Sequence, residues 1–283
     1  MSLQLKSNLI TFKLEIQGKK KLKMKNLLNK VPAVTLAFWI IKILATTIGE
    51  TAADFLNVNL GLGLVNTSYV MTALLLVVLV IQFRYKKYVP WIYWLVVVFI
   101  SVMGTLISDN LVDNLGVSLV TTTVCFGAGL IIVFIAWYAS EKTLSVHKIT
   151  STRREFFYWG AILFTFALGT SGGDLLSERL GLGYPIAASL FSGTILLIFL
   201  SYKYLKLNAV LAFWLAYILT RPLGASIGDL LTQAPKDGGL GVPIVIVNIV
   251  FLVVIVSLVI YLSVLENKKD KESLETSPAR KSL

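Results

Sequence analysis

The chain has 283 residues, 56% of them hydrophobic and 14% charged, with a mean hydropathy of +0.79, a composition that excludes a soluble globular domain. Its net charge of +11 is large enough for a nucleic-acid binder, but the basic residues flank apolar runs instead of forming a patch, which argues for a lipid bilayer as partner and against nucleic acid. A single cysteine (Cys125) and a single histidine (His147) exclude an intrachain disulfide framework and a zinc-type His/Cys site.

Residues 1–31 are polar and rich in lysine (Lys19, Lys20, Lys21 and Lys23 among them) and lack the small-residue cleavage pattern of a signal peptide. Met24, just ahead of the apolar part, is an alternative start. Eight apolar stretches follow, at about 34–56, 62–83, 89–111, 115–139, 156–177, 184–202, 207–231 and 241–264. Each matches the roughly 20 residues that a helix needs to cross a hydrocarbon core of about 30 Å. Backbone groups in lipid must be satisfied within the segment, so long apolar runs of this kind read as helices. The predicted fold is an all-α membrane protein with eight transmembrane helices in a domain spanning 32–265. A charged tail, 266–283, is expected to be disordered.

Lys and Arg gather in alternate connections: Arg84, Lys86 and Lys87; Lys142, Lys148, Arg153 and Arg154; Lys203 and Lys206. Lys268, Lys269 and Lys271 after the last span belong to the same set, while the other connections contain only Arg179 and Lys236. By the positive-inside rule both termini are predicted to be cytoplasmic, in a multi-pass protein of a cell (inner) membrane.

The chain repeats itself. Trp39, Trp94, Trp159 and Trp214 each precede a glycine by ten residues (Gly49, Gly104, Gly169, Gly224), and five residues later comes an aspartate (Asp54, Asp109, Asp174, Asp229). A leucine follows two residues on, at Leu56, Leu111, Leu176 and Leu231. The motif W-x9-G-x4-D-x-L therefore occurs four times, in repeats at about 34–83, 89–139, 156–202 and 207–264. Copies one and two relate to copies three and four by a constant shift of 120 residues, which points to two successive duplications. Units of two spans all enter the membrane in the same direction, so the repeats are parallel. On this motif the chain resembles a bacterial family of uncharacterised integral membrane proteins made of four tandem two-helix repeats, each with a signature tryptophan. That resemblance implies the fold and the topology and adds little about activity.

The tryptophans fall just inside the basic boundary, where aromatic residues anchor a helix at the headgroups or pack between helices. Each glycine begins a small-x3-small pair (Gly49/Ala53, Gly104/Ser108, Gly169/Gly173, Gly224/Gly228), which lets helix backbones approach closely in lipid. The aspartates are the main functional candidates, because a carboxylate in hydrocarbon is costly and normally faces a partner or a water-filled path. Asp54 lies about nine residues past the middle of its span, or ~13 Å, near the edge of the core, so capping a loop is the competing role.

One and two helical turns before the aspartates stand Glu50, Thr105, Thr170 and Ala225, then Thr46, Ser101, Phe166 and Arg221. Lys42 is one turn further in, and Lys42 and Arg221 are each expected to pair with a carboxylate inside the bundle. Five carboxylates (Glu50 and the four aspartates) against two cations favour a cation path, with Asp54, Asp109, Asp174 and Asp229 as tentative metal ligands. Oxygen ligands of this type suit Mg, Ca or Mn better than soft metals.

No Walker loop, nucleophile elbow, zincin motif or dinucleotide fingerprint occurs, and no cofactor is implied, so an enzyme is not expected. The expected function is a secondary transporter or channel for a cation, either a divalent metal or a proton-coupled solute. The alternatives are a membrane scaffold without transport, and an anion or organic-acid transporter that uses Lys42 and Arg221. Oligomeric state is not readable from these patterns.

Overall fold

The computed structural model describes residues 29–275, so the expectations for the first 28 residues and the last eight lie outside the described residues. Eight α-helices occur in it: α1 (Leu36–Asp54), α2 (Gly63–Arg84), α3 (Pro90–Asp109), α4 (Leu119–Glu141), α5 (Thr152–Asp174), α6 (Tyr184–Tyr204), α7 (Ala209–Thr232) and α8 (Ile244–Glu275). Local signals account for the starts. Thr35, Ser118, Ser151 and Asn208 each accept a backbone N–H of the first turn, and Pro90 opens α3 where its missing N–H costs nothing.

Seven of the eight helices are long and apolar enough to cross a membrane. The exception is α5, which opens with Arg153, Arg154 and Glu155 and closes on a Gly/Ser/Thr-rich turn. Packed against α3, α4 and α7, it shows little of itself to lipid and tolerates a more polar sequence. The other departure is α8. It continues to Glu275, so the first part of the charged tail is helical and not disordered as its composition led us to expect.

The odd-numbered helices form a closed inner ring in which α1 packs on α3, α3 on α5, α5 on α7, and α7 back on α1. The even-numbered helices stand outside, shifted by one place. Each covers the first helix of the following repeat: α2 on α3, α4 on α5, α6 on α7, and α8 on α1. Burial separates the two shells, at 61–72% of the apolar windows of α1, α3 and α7 against 17–28% for α2, α4, α6 and α8. Large exposed side chains such as Leu76, Ile131, Leu197 and Val253 stud the outer shell, as a lipid-facing surface requires.

The repeat glycines close the ring. A Cβ added to Gly49 would run into Ser101, one on Gly104 into Phe166, one on Gly169 into Arg221, and one on Gly224 into Thr46. Each glycine thus meets the residue two turns before the aspartate of the next repeat, and the fourth meets the first. Pro222, inside α7, occupies the room that Gly169 and Gly173 leave on α5.

The tryptophans depart from one of the two roles expected of them. Trp94, Trp159 and Trp214 are buried and do not form a belt at the headgroups; Trp39 is only half-buried. Each fills the seam beside the aromatic residue that precedes the tryptophan of the previous repeat. Trp94 lies 5.5 Å from Phe38, Trp159 5.4 Å from Tyr93, Trp214 6.3 Å from Tyr158, and Trp39 5.8 Å from Phe213. These contacts form a second ring, at the basic end of the bundle. Other side chains of the inner helices, such as Leu36, Trp91, Phe156 and Leu211, take the exposed positions at that level.

Candidate functional site

The interior of the ring is layered, and the repeat register names the layers from the acidic end inward. The outermost holds Asp54, Asp109, Asp174 and Asp229, the last turn of each inner helix. In three repeats the helix widens into a π-helical turn directly after the aspartate, at Phe55–Asn59, Asn110–Asn114 and Leu175–Arg179. Such turns are rare and recur at functional sites. The fourth repeat lacks one; α7 ends at Thr232 and a 3-10 turn, Pro235–Asp237, follows.

The aspartates converge on this end. Asp109 lies within electrostatic reach of Asp54, Asp174 of Asp109 and Asp229, and Asp229 of Asp54. Glu50 acts on all four. Asp113 and Glu178, one turn beyond, extend the acidic mouth. Among the described residues, none of the four aspartates has a salt-bridge partner. Among the described residues no three Asp, Glu, His or Cys side chains are placed to hold one ion, so Asp54, Asp109, Asp174 and Asp229, the tentative metal ligands, are not gathered into a single ligand set. The physical reason is reach: four short side chains on four separate helices surround an axis without meeting on it.

One turn inward the ring is closed. Arg221 is fully buried, and its guanidinium Nη2 donates to Glu50 Oε2 at 2.7 Å, to Thr170 Oγ1 at 2.8 Å and to Thr105 Oγ1. Nη1 donates to the Thr46 carbonyl at 3.3 Å. Glu50, Thr105 and Thr170 are the same repeat position on α1, α3 and α5. In the fourth repeat that position is Ala225, whose small side chain leaves room for Arg221 to rise from the turn below. The expected ion pair of Arg221 is therefore present, with a hydroxyl from each of two further repeats.

The expected pair of Lys42 is not. Its Nζ is fully buried, has no hydrogen-bond partner in the protein, and sits 4.1 Å from the Phe166 ring centroid and 4.2 Å from that of Tyr217. Two aromatic rings stand where a carboxylate was expected, and Glu50, two turns along the same helix, is engaged by Arg221. Ser101, on the Arg221 level, has a buried hydroxyl without a partner.

Beyond Lys42 comes a layer that the sequence reading missed: Phe38, Tyr93, Tyr158 and Phe213, each fully or almost fully buried. The hydroxyls of Tyr93 and Tyr158 hydrogen-bond each other. The signal was available, since an aromatic residue immediately precedes every repeat tryptophan. At the rim of this end, Lys30 pairs with the buried Glu155, which also accepts a 2.9 Å hydrogen bond from Gln82 Nε2. Asn29 ties the chain entering α1 to Ile149, whose backbone N–H donates to Asn29 Oδ1, and to Tyr88, whose backbone N–H donates to the Asn29 carbonyl.

A closed ring of hairpins with an apolar outer shell and a polar, charged interior defines a multi-pass α-helical membrane protein built from internal repeats. The family model described as Repeat of Unknown Function (DUF347) matches residues 37–88, 92–143, 157–207 and 212–267, and the chain belongs to that family. No curated protein and no solved structure matches it significantly.

Proposed function

We propose that this protein carries a cation across the membrane along the axis of the inner ring, and that Arg221 holds the path closed. One observation supports this reading above the others. A positively charged group already occupies the interior, held by a carboxylate, two hydroxyls and a carbonyl drawn from the other three repeats. Those ligands are hard oxygen donors suited to a cation, and the guanidinium stands where a transported ion would pass. The acidic mouth above it concentrates cations by its field, and because its carboxylates are not brought together as joint ligands, it would receive an ion with its water. An anion path has less support, since Arg221 is already engaged by Glu50.

The four single Asp→Asn variants test the mouth. Each keeps the shape and removes one charge, so cation flux into vesicles should fall severalfold at equal protein abundance. Asp229→Asn should have the smallest effect, because its repeat also carries Arg221. Four well-folded variants with wild-type flux would leave the aspartates as loop anchors and the ring as a scaffold.

The reading also needs the basic end to face the cytoplasm. In a background with Cys125, which is exposed on α4, changed to Ser, a cysteine at Asn59 or Gly238 should react with an impermeant thiol reagent from outside. One at Lys148 should stay unlabelled until the membrane is opened. The reverse pattern would invert the protein and turn the acidic mouth inward.

A further inference from the structure

The interior between Arg221 and the basic end holds a buried amine, Lys42, and three buried tyrosine hydroxyls, of Tyr217, Tyr158 and Tyr93, among apolar side chains. We propose that the protein moves protons through this half of the bundle, with Lys42 as the proton-carrying group. This rests on the cation-transport reading above and supplies its coupling ion.

Three observations carry the inference. First, the Lys42 amine is fully buried and has no hydrogen-bond partner, although a buried ammonium normally recruits a carboxylate or carbonyl. Its aromatic box favours a cation, yet the positive charge of Arg221 one turn away opposes it. A lysine balanced in this way can hold or lose a proton without dismantling an ion pair. Second, the groups that face it leave that balance undisturbed. At its level the other inner helices contribute Val97 from α3, Ile162 from α5 and Tyr217 from α7. On α8, the helix that covers α1, the only titratable residue before Glu266 is Tyr261, exposed on the outer surface.

Third, hydroxyls continue from Lys42 to the rim. The buried Tyr217 hydroxyl has no hydrogen-bond partner, and Tyr217 and Tyr158 lie within electrostatic reach of each other. Tyr158 hydrogen-bonds Tyr93, whose ring lies 5.6 Å from that of Tyr88 at the rim. A proton entering from the basic end forms a new N–H bond on Lys42, and the ammonium then breaks one N–H bond, giving a proton to the carboxylates of the acidic mouth when Arg221 leaves the axis. Each hydroxyl gives one proton forward and regains one from behind, so one proton moves and every tyrosine is restored. A water between the two unpartnered groups would complete the step from Tyr217 to Lys42.

The test uses the purified full chain in vesicles containing a trapped pH dye. In one arm a potassium gradient with valinomycin imposes a voltage; in the other, Na+, Mg2+, Ca2+ or Mn2+ is added outside, and cation entry and internal pH are both recorded. Wild type should move protons in at least one arm, at a rate tenfold above empty vesicles. Lys42→Met should abolish that movement, and Tyr217→Phe, which keeps the ring of the box, should slow it severalfold. Should Lys42→Met fail to fold, Tyr217→Phe and Tyr158→Phe decide the matter. Proton movement at the wild-type rate in the folded variants, or none in wild type in either arm, would overturn the proposal. Cation entry without proton movement defeats this inference alone. Proton movement without entry of any cation defeats the cation reading instead.

Discussion

Arg221→Leu should cost the protein about 3–5 kcal/mol of stability, because it leaves Glu50 charged and unpaired in the interior. Two threonine hydroxyls and a carbonyl lose a donor at the same time. The measurement is thermal unfolding of the purified protein in detergent, with folded yield from membranes as a second readout. The double variant Glu50→Gln/Arg221→Leu removes the stranded charge and should recover a large part of the loss. It should also leave the axis without its plug, so vesicles carrying it should leak small cations faster than wild type. A single variant that melts with wild type would mean that the guanidinium is not fixed where we describe it.

The second large effect is expected at Gly104. A methyl group there would stand 2.6 Å from Phe166 Cβ and 3.0 Å from the Ala167 backbone nitrogen, and a backbone cannot turn aside as a side chain can. Gly104→Ala should therefore destabilise the bundle by roughly 1–3 kcal/mol, the usual range for overpacking. Gly160 provides the internal comparison. It lies on α5, a neighbouring helix, with nothing within 4 Å of an added Cβ. Gly160→Ala should stabilise by about 0.5–1 kcal/mol, as alanine normally does in a helix. Equal melting temperatures for the two variants would show that the close approach of α3 and α5 does not hold the ring together.

Much of this architecture could be read from residue spacing. Trp, Gly and Asp at fixed offsets mark four equivalent helices, and the offsets put Glu50, Thr105 and Thr170 on one level before any coordinates exist. Three things resisted. The order of helices around the ring depends on which side of α1 its neighbours take, and small-residue faces alone do not say. Lys42 looked like half of an ion pair because a charge count pairs it with an acid. The count could not show that Ala225 opens a space through which Arg221 reaches Glu50 first. The widening after Asp54, Asp109 and Asp174 has no local sequence cause that we can name, whereas the aromatic pairs such as Tyr93–Trp94 were legible and went unread.

The one-place shift of the outer shell bears on how the protein is made. Three of the outer helices can settle against a neighbour that emerges right after them, but the outer face of α1 waits for α8, seven helices later. Glu50 lacks Arg221, its partner 171 positions further along, until α7 is made, and α1 keeps one side bare until α8 follows. Assembly of the bundle therefore includes a long-range closure that joins α1 to α7 and α8. A nascent chain stopped before Ile244 has all four inner helices but leaves the outer face of α1 uncovered, a target for membrane quality control. Because the ring has no natural first member, a circularly permuted chain that begins at α3 would shift this late step to a different seam.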